Sequence, residues 1–385
     1  MENNNINKHI QKILVLLSLI IPLSCNNEEV KLAKLSPKEI QQIAKESYIA
    51  LYPLVYNYGT MYAQAIDKNS KEYLGGFGTF KHYGLATPES KDIPTPNNNT
   101  PYSWAWIDLR SEPWVLTMPS IDRGRYYVSQ WDDLWGYVVD APGSIIDGQE
   151  GGNYLLCTTN YKKSIPKEIK RTIRSETEFM GTLTRTGVNG LEDVHKMKSI
   201  QNGYKLQPLS SFLGQIKSVT TQAIDWIKFE NNELYTIEFF KYANFMLKYV
   251  IPNKEDNHLM FNAKKIGVGP DLIWDTKKMS LEKKQAIENG IKEALDEIDT
   301  KASNTKDGKK LFNSRKIIGQ DYINRAVGVK VGQFGNYPTQ AMYPGFQKDS
   351  NGNFLNGNTH NYTITFQPEQ IPESKYFWSF TMYDL

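Results

Sequence analysis

Asn97, Asn98, Asn99 and Thr100 lead into a run in which Tyr102, Trp104, Trp106 and Asp108 alternate with Ser103, Ala105, Ile107 and Leu109. Side-chain amides and hydroxyls can bond their own backbone or a ligand. On a strand the two sets face opposite ways, so the aromatic set shares one face with Asp108. Left open, that face could stack on the apolar side of a sugar. Covered by helices it is core, which large aromatics usually join. A second group follows: Arg123, Arg125, Tyr127, Asp132 and Asp133. Arg123 or Arg125 could pair with Asp132-Asp133 across a hairpin, worth ~0–1 kcal/mol if exposed. If they converge in a pocket they form a binding cluster, and Arg325 poses the same choice. Paired carboxylates can also do general acid-base work. Asp92, Asp108 and Asp132, with Arg125 and Tyr127, therefore make a hydrolase the alternative to a binding protein. The candidate ligand-binding set is Asn97, Asn98, Asn99, Tyr102, Trp104, Asp108, Arg125, Tyr127 and Asp132.

Other chemistries find little support. The chain has no Gly-x-Ser-x-Gly elbow, His-Glu-x-x-His pair, phosphate-binding loop or dinucleotide fingerprint. Its five histidines are scattered, so no catalytic residue, cofactor or metal site is assigned. Asp349, Asn351 and Asn353 begin like a calcium loop, but Phe354 stands where a turn glycine is needed and His360 where a glutamate closes the loop. A turn at Asn351-Gly352 fits better. Cys157 lies in the apolar run Tyr154–Thr158 and reads as a small buried hydrophobe.

The elements that must position these residues are legible in part. Ser36-Pro37-Lys38-Glu39 is a capping box with proline at the first helical position. The helix it opens places Ile40, Ile43, Ala44, Tyr48 and Leu51 on one face, and Pro53 is expected to kink or end it. Residues 71–101 are loop-like. Strands are predicted over 102–110, 114–118, 126–131, 135–139 and 154–159, at the spacing of a sandwich or barrel. From about Leu206 to Thr300 the period turns helical. Phe212, Ile216, Val219, Ala223, Ile224 and Ile227 fit one face, and Ile237, Phe240, Ala243, Leu247 and Val250 a second. Ile287, Ile291, Leu295 and Ile298 fit a third, capped by Ser280. Strand patterns return at 361–366 and 376–383.

The 385 residues carry 45 Lys+Arg against 42 Asp+Glu. That near balance implies no nucleic-acid partner. With two cysteines there is no disulfide framework. Lys8 and Lys12 precede the apolar run Ile13–Ile21, too short to span a membrane and suited to a signal peptide. The run stops at Pro22-Leu23-Ser24-Cys25, which resembles a lipobox, with Pro22 replacing the usual aliphatic residue. Cys25 would be lipidated and become the new N-terminus.

The stretch IPTPNNNTPYSWAWIDL at 93–109, with Arg125-Tyr126-Tyr127 and Asp132-Asp133, resembles the domain of unknown function numbered 1254. AMYP at 341–344, DSNG at 349–352, NYTITF at 361–366 and FWSFTMYD at 377–384 resemble its companion numbered 1214. TRT at 184–186, QNGYKLQP at 201–208 and IGVG at 266–269 fit a helical connector. The resemblance implies a bacterial protein with two β-sandwich domains and a helical connection, and no established reaction. It also implies an aspartate where this chain has Asn99, and further strands after 385.

The expected fold is therefore α+β: two β-sandwich-like domains joined by a helical region, the C-terminal sandwich incomplete. The expected division is a signal peptide at 1–24, a tether at 25–35, helices at 36–70, a β-rich domain at 71–200, a helical connector at 201–310 and a truncated β-rich domain at 311–385. The expected function is a cell-envelope lipoprotein, anchored to the outer membrane through Cys25, that binds a carbohydrate, a small molecule or a partner. The alternatives are an envelope hydrolase of esters or glycosides, and an inactive truncated homologue.

Overall fold

The computed structural model describes residues 35–87, 97, 99–216, 221–305, 310–342, 346 and 348–381. The signal segment, Cys25, Asp92 and Asn98 lie outside them. Helix α1 (Pro37–Met61) begins as the sequence predicts. The Ser36 Oγ accepts from the Glu39 amide at 3.3 Å, and the Glu39 carboxylate accepts from the Ser36 amide at 2.7 Å. Such a cap contributes ~1 kcal/mol. Pro53 does not end α1, which runs on to Met61 and a π-helical turn at Tyr62–Ile66. The buried residues on both sides of Pro53 hold the helix together where one backbone bond is lost.

Among the described residues nine strands follow: β1 (Lys81–His82), β2 (Tyr102–Asp108), β3 (Trp114–Met118), β4 (Tyr127–Asp133), β5 (Val138–Asp140), β6 (Gly152–Thr158), β7 (Ile169–Ser175), β8 (Phe179–Thr186) and β9 (Lys205–Pro208). They form two sheets, in the orders β1-β2-β8-β4-β5 and β7-β6-β3-β9. Only β6 and β7 pair in parallel. Alternate residues of the two sheets meet in one core that includes Ile107, Leu116, Trp131, Leu156, Ile173 and Met180. This is a sandwich, and the fold is α+β as expected. Strands β7 and β8 escape the sequence reading because their alternation is carried by threonine and arginine. Yet β8 is the centre of its sheet and is buried along its whole length.

The helical layer holds α2 (Val194–Asn202), α3 (Leu209–Phe212), α4 (Phe239–Met246), α5 (Asn257–Ile266), α6 (Leu281–Asn304), α7 (Arg315–Ile318) and α8 (Tyr322–Gly332). Helix α6 starts at the Ser280 cap and buries Ile287, Ile291 and Ile298, as predicted. It lies along α1, and Gly290 permits the approach, since a Cβ there would run into the Gln41 carbonyl oxygen. Of the helix predicted around 212–227, none continues past Phe212 among the described residues, and Val219 lies outside them. Leu206 belongs to β9, Ile216 is 96% exposed, and the described residues from 221 to 230 are irregular. Trp226 and Phe229 instead pack on Tyr58, a tertiary contact that outweighs a weak helical period. Among the described residues of 310–381 there are the helices α7 and α8 and no named strand. The patterns at 361–366 and 376–381 have no ladder partner, and Tyr362, Ile364, Phe377, Trp378 and Phe380 are exposed. No described helix is long and apolar enough to cross a membrane.

Candidate functional site

The alternation on β2 is as predicted, but its aromatic face is closed. Trp104 is 6% and Trp106 1% exposed. The Phe334 ring stands edge-on to both, at 4.9 and 5.8 Å between centroids. The Trp106 indole N–H donates to Gln64 Oε1 at 2.7 Å. Tyr102 lies under the Arg185 guanidinium at 5.6 Å. These residues are core and not an open sugar platform. The Asn97 side chain accepts from the Asn99 amide at 2.7 Å, and the Asn99 carbonyl accepts from Val188 at 3.0 Å, so this turn bonds its own backbone.

Arg125 does not meet Asp132. The six residues between them are extended, which separates the two by roughly 20 Å. Arg125 is buried and bonds Asp122, Asp193 and the Gly187 carbonyl. Its guanidinium pulls Asp122 down to about 2. Tyr127 is inside the sandwich and donates to the Gly148 carbonyl at 2.8 Å. Asp132 is buried on the outer face of the sheet, where Gln130 Nε2 donates to both its oxygens at 3.0 Å. Burial pushes its carboxyl well up. Arg325 is buried, stacks on Trp135, Tyr137 and Tyr322, and donates to the Ala50 carbonyl at 2.6 Å. The candidate set therefore does not converge on one cleft.

Other reactive groups are also explained by packing. Ser103 Oγ lies 2.8 Å from His82 Nδ1, but Ser103 is fully buried and burial lowers the His82 pKa. Burial raises the Cys157 thiol, so thiolate chemistry is disfavoured. The Asp349 carboxylate accepts from the Asn351 and Asn353 amides in a turn closed by a Lys348–Phe354 bridge. Among the described residues no group of three or more His, Cys, Asp or Glu is placed to hold a metal.

Asp108 alone leads to an opening. At the end of β2 it takes Arg110 in a bidentate pair, with Nε–Oδ1 at 3.0 Å and Nη2–Oδ2 at 2.7 Å. The Leu109 amide donates to the Glu178 carbonyl, and the Glu178 amide to the Tyr249 carbonyl, both at 2.8 Å. The end of β2, the start of β8 and the turn after α4 are thereby stitched together. Arg110, Glu178, Lys248 and Tyr249 line a cleft of about 550 Å³. Phe245 also lines it, and behind it Phe179, Trp226 and Tyr249 pack ring against ring, Phe179 lying 5.5 Å from each of the others. Burial raises the Glu178 carboxyl, a shift that Arg110 opposes and Asp108 assists. The cleft thus offers guanidinium and ammonium groups, a carboxyl whose pKa burial raises, a phenol and ring faces. Sequence reasoning missed Arg110, Glu178, Lys248 and Tyr249, since only Asp108-x-Arg110 is a local signal.

Two family models match parts of the chain. Residues 77–208 match the family model for the protein of unknown function DUF1254. The DUF1254 match spans all nine strands, so it takes in the whole sandwich and the Arg110 and Glu178 walls of the cleft. Residues 340–385 match a second family of unknown function, DUF1214. The structure of the VPA0106 protein from Vibrio parahaemolyticus is similar, with TM-score 0.68 and 22% identity over 83% of this chain and 74% of that one. At that identity the likeness shows a shared fold. An uncharacterized protein from Burkholderia cenocepacia aligns over 48% of this chain and 43% of its own, with 12% identity and TM-score 0.24, which carries no argument. No curated protein matches the chain.

Proposed function

We propose that this protein is a cell-envelope lipoprotein that binds a carbohydrate or similarly polar small molecule in the cleft beside the DUF1254 sandwich. The cleft carries the reading: about 550 Å³ is the scale of a small-ligand site. Its phenol, carboxyl and cationic groups can bond hydroxyls, while Phe245 and Tyr249 offer faces to apolar C–H groups. The envelope location rests on Lys8, Lys12, the apolar run to Ile21 and the lipobox-like Ser24-Cys25.

Isothermal titration of the full chain with a panel of neutral and acidic oligosaccharides tests the binding. One member should bind, and Arg110→Ala and Tyr249→Ala should each weaken it by about tenfold, the loss of ~1.4 kcal/mol. A panel without a binder, or variants with unchanged affinity, rejects the site. For the anchor, Cys25→Ala should abolish incorporation of labelled palmitate and release the protein from the membrane fraction. Unchanged labelling would remove that part of the reading.

Hydrolysis of glycosides is the second reading, favoured by the raised carboxyl of Glu178, which suits a proton donor. Release of 4-nitrophenol from aryl glycosides, lost in Glu178→Gln, would establish it.

A further inference from the structure

The outer face of the five-stranded sheet carries a site that the chain fills with its own backbone. Residues 333–336, just after α8, lie across Trp104, Trp106, Gly181 and Arg185. Phe334 is at φ 60°, the one non-glycine residue at positive φ among the described residues. A side chain there is strained. Its ring is clamped edge-on by both tryptophans and rests where Gly181 has no side chain; a Cβ on Gly181 would come within 2.8 Å of it. The strap's polar atoms meet charged and amide groups of the sheet. Arg185 Nη2 donates to the Phe334 carbonyl at 2.8 Å, and Nη1 to Asn336 Oδ1 at 3.2 Å. Gln130 Nε2 donates to the Gly335 carbonyl at 3.0 Å and to Asp132. A guanidinium and an amide set in a sheet face beside a tryptophan pair is recognition chemistry for a ring with a carbonyl next to it.

We propose that residues 333–340 form a displaceable strap over a second ligand site, and that this site takes an aryl group bearing an adjacent amide or carboxyl oxygen. The ring enters between Trp104 and Trp106, and Arg185 and Gln130 donate to the oxygen. An external ligand of this class gains the same contacts without the backbone strain of Phe334. It competes with the strap, so occupancy and strap release are coupled. The site is separate from the cleft and stands or falls independently of it.

N-acetyl-L-phenylalaninamide, which reproduces the ring and carbonyl of Phe334, is the probe. With the full-length chain at about 10 mM probe, hydrogen exchange of amides 333–340 should rise by about tenfold while α8 stays protected. Phe334→Gly removes the competing ring and should bind the probe at least about tenfold more tightly than the unmodified chain. In that variant toluene should bind about tenfold more weakly than the probe, because a charge-assisted hydrogen bond is worth about one decade or more in affinity. Unchanged strap exchange overturns the proposal, even if Phe334→Gly fails to fold. Equal binding of toluene and the probe also overturns it, making Phe334 ordinary core packing.

Discussion

Truncating Trp106 to alanine should lower the free energy of unfolding by about 3–5 kcal/mol. The indole is 1% exposed, so its removal leaves a cavity under Phe334. It also strips the buried Gln64 Oε1 of its donor, and an orphaned buried acceptor costs ~1–3 kcal/mol. Urea titration followed by circular dichroism reads the effect. Trp106→Phe should cost less, because most of the ring volume stays. If Trp106→Ala left the urea midpoint unchanged and weakened only sugar binding, the aromatic face would be an accessible platform and the packing described here would be wrong.

The second large effect is on pH dependence. Burial pushes the Asp133 carboxyl from its usual 3.8 to about 7, against the Tyr137 amide and the Arg315 and Arg325 guanidiniums, which pull it down. Asp132 is displaced the same way. A carboxyl raised in the folded state holds a proton that the unfolded chain releases. Its stabilising contribution is complete below about pH 4 and is lost as pH rises to about 7. The displacement corresponds to about 4 kcal/mol at most. Asp122 and Asp193 act in the opposite sense, because Arg125 holds both down, and their contribution disappears as pH falls below the usual carboxylate range. The melting temperature should therefore be higher near pH 5 than at pH 8. Asp133→Asn keeps an oxygen to accept from the Tyr137 amide and should flatten that slope. A melting temperature that rises from pH 5 to 8, or a slope untouched in Asp133→Asn, would show that the guanidiniums outweigh burial.

Local signals were readable and long-range ones were not. The Ser36 cap, the face of α6 and the alternation of β2 depend on neighbours a few residues away, and all are present. Strand β8 was hidden because threonine and arginine supply its period, although it pairs with both β2 and β4. The apolar spacing from 212 to 227 mimicked a helix, but Trp226 is drawn onto Tyr58 and Phe245. Charge told little about partners: Arg125 bonds Asp193, 68 residues away, and not the nearer Asp132. The cleft was invisible for the same reason. Arg110, Glu178 and Tyr249 come together only through the β2–β8 ladder and the bridge from Thr177 to Val250.

Amide chemical-shift mapping tests the cleft most directly, using the full chain titrated with the oligosaccharide that binds best. Shifts should concentrate at Arg110, Ser111, Glu178 and the Phe245–Tyr249 turn, with the sandwich core and residues 333–340 unmoved. Shifts confined to Tyr102–Trp106, or to the exposed segment 348–381, would contradict this reading and place the ligand elsewhere.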